Sequence, residues 1–211
     1  LVGSEMCIRD RIGNYLAPLT IALFANSPFY ENKPSGFLSY RGKVWQETNR
    51  GGIMPITFEN INFEKYIDHA INYPILFIKK KGKYHSPNGQ TFNDFLNGNL
   101  SFLKGEKPTL EDFENHLGTI FTEIRLKPVV EFRSLDTCNF GCICNGPSFF
   151  TGLIYGSLDE TYEIIKDWKK EEVIEAYLNA PKLGLNTLLH NKKLFDWGKI
   201  FLDLSKKGLE K

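Results

Sequence analysis

Residues 125–133, with the sequence RLKPVVEFR, most constrain the fold of this chain, because apolar and charged side chains alternate along them. A β-strand places successive side chains on opposite faces, so the alternation predicts one strand with one face in the core. Pro128 cannot donate a ladder hydrogen bond, which predicts a sheet edge or a bulge there. The face opposite the core carries Arg125, Lys127, Val129, Glu131 and Arg133.

The charged face of this segment allows two interpretations. Its side chains could simply be solvated, as on many sheets that have one face in water. A solvated face usually mixes lysine, serine, threonine and glutamate, however, whereas here two arginines flank one carboxylate, Glu131. Glu131 and Arg133 could hold a divalent cation and an anionic oxygen side by side, as phosphoryl transfer requires. The segment is therefore a candidate site for phosphoryl chemistry.

Strand and helix patterns are mixed along the rest of the chain, which predicts one domain or part of one. Apolar spacing predicts helices over residues 12–26, 109–118, 158–168 and 194–208, with a capping box from Ser157 to Glu160. The first of these ends at the Asn26-Ser27-Pro28 turn. GFLSYRGKVW and PILFIKKKGKY are strand-like, and the lysines around Gly82 in the second are typical of a solvated hairpin tip.

Composition excludes several classes of function. A hydrophobic content of 42% and an aromatic content of 14% are typical of a globular enzyme. Twenty-six basic and 25 acidic residues give a net charge of +1, so there is no broad basic surface for nucleic acid or an anionic membrane. No run of 18 consecutive apolar residues could span a bilayer. We therefore expect no nucleic acid and no membrane as partners.

The cysteines favour a reducing compartment, either the cytoplasm or an organelle stroma. Besides Cys7, the chain has Cys138, Cys142 and Cys144, an odd and clustered set unlike a secreted disulfide framework. A metal-binding module built from this cluster and His116 is an alternative, but the spacing lacks the paired C-x-x-C knuckles of common zinc sites. A histidine on a helix is also often a cap or a packing residue.

The first eleven residues, LVGSEMCIRDR, show no strand or helix period, no cap and no signal-peptide layout. Their codons can spell a transposon adaptor used to prepare sequencing libraries, with Arg11 at the junction. We therefore interpret residues 1–11 as a non-native segment, and we expect it to make no specific contacts with residues 12–211. Met6 and Ile8 test this expectation directly.

Four segments together resemble glutamate-cysteine ligase of the plant and proteobacterial type, in the same order and at similar spacing. They are ALFANSPFYENKPSGFLSYRGKVWQET, TFNDFLNGN, ENHLGTIFTEIRLK and VVEFRSLD. The resemblance implies an α+β, glutamine-synthetase-like fold, a curved and mainly antiparallel sheet backed by helices. Residues 12–211 would be the C-terminal part of that catalytic domain, without its N-terminal half. It also implies a ligase that uses ATP and Mg²⁺ to join the glutamate γ-carboxylate to the amine of cysteine, the first step of glutathione biosynthesis.

The resemblance also implies roles for individual residues. Glu131 matches a magnesium ligand, and Arg133 beside it matches an arginine expected on phosphate. Arg125 and Arg41 match two further arginines, candidates for the phosphates or the glutamate carboxylate, where a planar fork binds bidentately. We expect all four to face one concave surface. The matching blocks also contain Asn26, Ser27, Trp45 and Arg50, which are candidates for substrate binding.

This chain departs from the family pattern in several places. Around TNRGGIMP it is about two residues shorter than plant forms, which displaces Arg50 from the matching position. Asn88 and Leu103 occupy the positions of a plant cysteine pair, while Cys144 matches a family cysteine. The family's other metal-binding carboxylates lie upstream of residue 12. A carboxylate-amine ligase with another amine acceptor is the alternative from the same superfamily, and a monomer or homodimer is expected for the full-length enzyme.

Overall fold

The computed structural model describes residues 3–48, 50–59, 61–127, 129–136 and 138–211, and within them helices predominate. The side chains of residues 3–5 are not among those described. The helices are α1 (Gly3–Leu23), α2 (Tyr40–Glu47), α3 (Phe63–Ile71), α4 (Phe92–Leu96), α5 (Leu110–Leu117), α6 (Asn145–Thr151), α7 (Leu158–Ile165), α8 (Lys170–Leu183) and α9 (Leu194–Leu209). A π-helical turn, Gly152–Gly156, follows α6. None of the described helices is both long enough and apolar enough to cross a membrane.

The strands are short and form separate two-stranded pairs within the described residues. They are β1 (Phe29–Tyr30), β2 (Lys33–Pro34), β3 (Gly51–Gly52), β4 (Ile78–Lys80), β5 (Lys83–His85), β6 (Phe121–Thr122), β7 (Ile124–Leu126), β8 (Val130–Phe132), β9 (Leu188–Leu189) and β10 (Lys192–Lys193). The pairs β1–β2, β4–β5, β7–β8 and β9–β10 are antiparallel, whereas β3–β6 is parallel. The α+β class is therefore confirmed, while the glutamine-synthetase-like curved sheet stays a prediction.

The main core is built around α1, which is buried along most of its length. Ile12, Leu16 and Leu19 on this helix are fully buried. They belong to a cluster that also takes apolar side chains from α6, α7, α8 and α9. A smaller cluster under the β4–β5 hairpin centres on Phe95 and Leu100. Burial of such large side chains against several helices fixes α1 as the element on which the rest of the fold packs.

The expectation that residues 1–11 make no specific contacts is wrong. The described part of this segment continues α1 towards its N-terminus, and Met6 is only 7% exposed. Met6 packs in a third cluster with Met54, Tyr66 and Leu126, whereas Ile8 is exposed. A helix that is already fixed by its C-terminal turns can carry additional residues into the neighbouring surface at little further cost, whatever the origin of those residues. The adaptor origin itself stays a prediction.

The segment GFLSYRGKVW is not a strand, because α2 begins within it. Ser39 is the N-cap, and its side chain accepts a 3.0 Å hydrogen bond from the Gly42 N–H group. Gly42 suits a close approach to α8, since a Cβ there would lie 3.0 Å from Pro181. The capping Ser39 and the small Gly42 thus favour the start of a helix over the strand that was predicted for this segment.

Most other predicted elements are present. The hairpin with its turn at Gly82 is confirmed as β4–β5, and α5, α7 and α9 confirm the helices expected over residues 109–118, 158–168 and 194–208. The capping box at Ser157 is wrong, because its hydroxyl donates instead to the Leu204 carbonyl at 3.3 Å. Lys80 at the hairpin forms a 2.7 Å ion pair with Asp112.

Residues 125–133 form a hairpin rather than one strand. Strands β7 and β8 pair antiparallel, with Arg125 directly opposite Glu131 and Leu126 opposite Val130. Because directly opposite residues share a face, the hairpin keeps Arg125 and Glu131 together, as the strand prediction also required. Pro128, at which an edge or bulge was expected, lies outside the described residues.

Candidate active site

The β7–β8 hairpin presents an arginine–carboxylate pair at the centre of the charged surface. Arg125 Nε lies 2.7 Å and Nη2 lies 2.5 Å from Glu131 Oε2. Arg125 Nη1 donates to the Gly118 carbonyl at 2.6 Å, and the residue is only 7% exposed. The Arg125 guanidinium is thus fixed by the hairpin register and by the loop after α5, and its charge-assisted bonds are of the strong type.

Two further cations lie near the Glu131 carboxylate. Lys127 Nζ is 3.6 Å from Oε1, and Arg133 Nη1 is 3.8 Å from Oε2. Partial burial raises the pKa of Glu131, but the hydrogen bond and charge of Arg125, with Lys127 and Arg133, hold it below its ordinary value. Glu131 is therefore ionised at neutral pH, and the surface around it carries more positive than negative charge.

Helix α2 brings Arg41 and Trp45 to this surface. Since the two are four residues apart, they lie on one face of the helix, and the Arg41 guanidinium is 5.7 Å from the Trp45 ring centroid. The Arg133 guanidinium lies 5.4 Å from the same ring and 5.7 Å from that of Phe121. Arg41 Nη2 also donates to the Arg133 carbonyl at 2.5 Å. The structure thus brings Arg41, Arg125, Glu131 and Arg133 together, and we call these four residues the arginine cluster.

The Asn26-Ser27 turn is held next to α2 by Asp136, a residue that sequence reasoning missed. The Asn26 N–H group and the Ser27 hydroxyl donate to Asp136 Oδ2 at 2.8 and 2.6 Å. The Ser39 hydroxyl donates to Oδ1 at 2.9 Å, and Ser27 Oγ accepts from the Arg41 N–H group at 3.0 Å. The turn is therefore tied both to the N-terminus of α2 and to the chain segment that follows Arg133.

Arg50 is the predicted site residue that the structure does not bring to the arginine cluster. Its guanidinium donates to the Thr119 carbonyl at 3.0 Å, to the Thr119 hydroxyl at 3.1 Å and to the Pro74 carbonyl at 2.7 Å. It also stacks 5.1 Å from the Tyr73 ring centroid, and burial lowers its pKa. These contacts connect three loops, which explains Arg50 structurally, while its substrate-binding role stays a prediction.

Glu123 is a second carboxyl group that the sequence did not indicate, and it lies beneath the arginine cluster. It is 3% exposed, and Tyr177 of α8 donates to its Oε1 at 2.6 Å. Burial raises the pKa of Glu123, while Tyr177, Arg41 and Arg133 act in the opposite direction. Glu123 stands two residues before Arg125 in TEIRLK, so the block pointed to this region without indicating that the glutamate is buried.

The donor set of the cluster fits a hard cation at one atom only. Glu131 Oε2 is occupied by Arg125, whereas Oε1 has only Lys127 nearby, and the side chain is 30% exposed. A carboxylate oxygen of this kind suits Mg²⁺, which keeps water or substrate oxygens in most of its coordination positions. Among the described residues, no group of three or more His, Cys, Asp or Glu side chains could hold a metal ion.

The described cysteine and histidine side chains of the alternative site do not come together as a metal centre. Cys138 and Cys142 are joined by a disulfide, so two of the three thiols that the metal-binding alternative requires are oxidised, and Cys144 is exposed. His116 is 2% exposed, stacks on Phe92 at 5.0 Å and lies with Nε2 2.8 Å from the Ala70 carbonyl oxygen. The packing interpretation of His116 therefore accounts for its environment.

A cavity of about 410 Å³ lies on the other side of the hairpin, away from the arginine cluster. Its lining includes Val130, Phe132 and Phe150, side chains from the apolar face of β8 and from α6. Its mainly apolar wall offers few groups for anionic substrates, so the chemistry of the candidate site belongs to the charged face.

Comparison with known proteins points to one family. Residues 8–208 match the family model described as glutamate-cysteine ligase family 2 (GCS2). The chain is 41% identical over 213 residues to the chloroplastic glutamate-cysteine ligase of Solanum lycopersicum, and 40% identical over 213 residues to those of Nicotiana tabacum and Arabidopsis thaliana. Each alignment covers 99% of this chain and 41% of the relative. The chain thus spans about two fifths of the length of these relatives.

Proposed function

This chain belongs to glutamate-cysteine ligase family 2, and we propose that it supplies part of the active site of an ATP-dependent glutamate-cysteine ligase. The reaction joins the glutamate γ-carboxylate to the amine of cysteine and is the first step of glutathione biosynthesis. The observation that carries the proposal is the grouping of three arginines, in which Arg125 and Arg133 lie beside the Glu131 carboxylate and Arg41 and Arg133 share the Trp45 ring. Three guanidinium groups held this closely are suited to an anion with several oxygens.

The cluster fits the charge changes of this chemistry. The γ-carboxylate of glutamate attacks the terminal phosphorus of ATP, ADP leaves, and the amine of cysteine then displaces phosphate from the acyl phosphate. ATP, glutamate, the acyl phosphate and the released phosphate are all anionic, and the transition states spread negative charge over oxygens. Arg41, Arg125, Lys127 and Arg133 provide four positive charges beside Glu131 and Glu123, so the surface has an excess of positive charge in which fixed donors can neutralise those oxygens.

Individual roles follow from the contacts. We assign Arg125 and Arg133 to phosphate or carboxylate oxygens, because their guanidinium groups lie 2.5 and 3.8 Å from the same oxygen of Glu131. Arg41 borders the same space through Trp45, and the indole supplies a flat wall for substrate. The Asn26-Ser27 turn is within the same structural unit through Asp136, which suits it to substrate binding.

We propose Glu131 Oε1 as a ligand of Mg²⁺, which would neutralise phosphate charge when bound. Oε2 of the same carboxylate is already paired with Arg125, which leaves Oε1 for the metal ion, and the partial exposure of the Glu131 side chain supports the proposal. We further propose that the complete catalytic domain has the glutamine-synthetase-like sheet, that the enzyme acts as a monomer or homodimer, and that it works in the cytoplasm or in an organelle stroma. The stroma is supported by the chloroplastic relatives.

The proposal is tested in a chimaera, because the chain covers 41% of its relatives. The matched segment of the tomato enzyme is replaced by residues 8–208 of this chain. We expect phosphate release from ATP that requires both glutamate and cysteine, and at least a tenfold loss of this activity in Arg133→Lys. Lys79→Ala at the exposed hairpin serves as the matched control and should retain activity. Absence of ligase activity in a folded chimaera would refute the proposal.

The same assay distinguishes the alternative amine acceptor. Phosphate release is measured with cysteine, alanine, glycine and 2-aminobutyrate in turn, at fixed glutamate and ATP. Cysteine should give the highest kcat/KM. A strong preference for another amine would retain the carboxylate-amine ligase chemistry and reject the cysteine assignment.

A further inference from the structure

Asp136 and two serines form a hydrogen-bond network at the start of α2. The Asp136 side chain accepts from the Ser27 hydroxyl through Oδ2 at 2.6 Å and from the Ser39 hydroxyl through Oδ1 at 2.9 Å, and the residue is only 9% exposed. Ser27 Oγ accepts in turn from the Arg41 N–H group at 3.0 Å, and Ser39 Oγ accepts from the Gly42 N–H group at 3.0 Å. Each hydroxyl therefore connects the carboxylate to one main-chain N–H group of the helix.

These bonds provide partners for the N–H groups at the helix start, which have no acceptor within the helix itself. The N–H groups of the N-cap Ser39 and of Tyr40 donate to main-chain carbonyls at 3.0 and 2.9 Å. Those of Arg41 and Gly42 donate to the serine oxygens. A hydroxyl that donates to a carboxylate is a stronger acceptor, and a negative charge at a helix N-terminus is favourable. Asp136 therefore stabilises the turn of α2 that carries Arg41.

The same carboxylate has a fixed position relative to Arg133. Asp136 follows Arg133 by three residues, and between them the Ser134 hydroxyl shares a 2.6 Å hydrogen bond with the Thr20 hydroxyl of α1. Ser134 and Thr20 are 1% and 0% exposed. Arg41 Nη2 donates to the Arg133 carbonyl at 2.5 Å. Arg41 is thus connected to this segment twice, by its main chain through Ser27 to Asp136 and by its side chain to Arg133.

We infer that Asp136 is a positioning residue that holds Arg41 beside Arg133 through the hydroxyl groups of Ser27 and Ser39. Its catalytic consequence rests on the proposed function, whereas its effect on the start of α2 does not. Without the carboxylate, the two hydroxyls lose their common acceptor and can turn away from the N–H groups of α2. The base of the Arg41 side chain then loses its fixed position, and with it the preorganisation that electrostatic catalysis needs.

Amide hydrogen exchange in the chain itself tests the structural part of this inference. Asp136→Asn keeps the shape of the side chain but turns one carboxyl oxygen into a donor. Exchange at the Arg41 and Gly42 N–H groups should then be about tenfold faster or more, measured relative to the slow amides of α9. Asp203→Asn, at an exposed position of α9, is the matched control and should change neither N–H group.

The two serines test whether Asp136 acts through both hydroxyls. Ser27→Ala should accelerate exchange mainly at Arg41 and Ser39→Ala mainly at Gly42, since each removes one acceptor. Unchanged exchange at both N–H groups in folded Asp136→Asn overturns the inference. An equal acceleration of the α9 amides also overturns it, because Asp136 would then only stabilise the fold.

In the chimaera, a double-mutant cycle tests the connection to Arg41. Asp136→Asn and Arg41→Ala should each lower kcat/KM about tenfold or more, and the double variant should stay within about threefold of Arg41→Ala, because Asp136 acts through Arg41. Losses that multiply would show an effect independent of Arg41 and would contradict the positioning role.

Two outcomes need a second measurement. If Asp136→Asn does not fold, Ser27→Ala replaces it in both assays, and unchanged exchange at Arg41 or multiplied losses with Arg41→Ala overturn the inference. An inactive parent chimaera would refute the proposed function and leave the exchange result to decide this inference.

Discussion

Replacement of Asp10 by asparagine should stabilise the chain, and increasingly so as the pH rises. Asp10 lies on α1 and is fully buried, and neither carboxyl oxygen has a hydrogen-bond partner of normal geometry among the described residues. Burial raises its pKa from 3.8 to about 7, and weak interactions with Asn14 and Thr57 offset only part of this effect. We propose that the poor fit of Asp10 reflects the adaptor origin of residues 1–11, because an oligonucleotide does not select residues for burial.

The magnitude follows from linkage between protonation and folding. The unfolded chain ionises Asp10 near pH 3.8, whereas the folded chain holds the proton to about pH 7. Each unit of this difference corresponds to about 1.36 kcal/mol, so the full cost to the folded state is ~4 kcal/mol above pH 7. Between these two pKa values the folded state binds more protons than the unfolded state, so stability falls as the pH rises through this window.

Urea unfolding at pH 5 and pH 8 measures the effect. At pH 5 only the first part of the cost is present, so the stabilisation by Asp10→Asn should be about 3 kcal/mol larger at pH 8 than at pH 5. Asp203→Asn, at an exposed position of α9, is the matched control and should show no such difference. An equal change in unfolding free energy at both pH values would refute the reasoning, because it would mean that Asp10 finds a partner in the folded state.

Three further predictions concern the site and the packing around α9. In the chimaera, Glu131→Gln should slow acyl-phosphate formation about a hundredfold, and Arg133→Lys should also lower activity because a point charge cannot replace a bidentate fork. Near-normal phosphate release that depends on glutamate and cysteine in Glu131→Gln would mean that the charged face is merely solvated. Arg50→Lys should lower the unfolding free energy by about 1–2 kcal/mol, because it removes hydrogen bonds to neighbouring loops. A higher KM at unchanged stability would contradict this structural role and support substrate binding by Arg50. Gly152→Ala should destabilise the chain by about 1–3 kcal/mol, because an added Cβ would lie 2.1 Å from a carbonyl oxygen of α9. The control Gly141→Ala, whose nearest contact would be 3.4 Å away, should change stability in urea little. Equal effects of the two substitutions would contradict the packing argument.

The local parts of the fold were the predictable parts. Helices α5, α7 and α9 carry clear apolar faces, and the β4–β5 turn has glycine where a positive φ of 76° is needed. The strand expected over residues 125–133 is a hairpin in the structure. Alternation of charged and apolar residues could not distinguish the two, because a period of two is preserved when a strand folds back on itself. The sequence pattern therefore predicted which residues share a face and could not predict the chain reversal between them.

Residues that act through distant partners were not predictable from one sequence. Asp136 contacts Ser27 across 109 positions, and Glu123 contacts Tyr177 across 54. A lone carboxylate has the same local pattern whether it is solvated or buried behind a cluster, so only the tertiary structure distinguishes the two. Arg50 shows the opposite case: its type suggested a ligand site, while the structure places its guanidinium on carbonyl and hydroxyl groups of neighbouring loops.

The arrangement of carboxylates explains how so much positive charge is stable in one place. Glu131 faces its partner Arg125 within one hairpin and is partly exposed, whereas Glu123 is buried. An incoming anion can reach the Glu131 side chain, which is 30% exposed, whereas Glu123 is 3% exposed and accepts a hydrogen bond from Tyr177 in the core. Glu131 is therefore the carboxylate that an incoming anion or cation can reach, whereas Glu123 stays buried and bonded to Tyr177 during such an exchange.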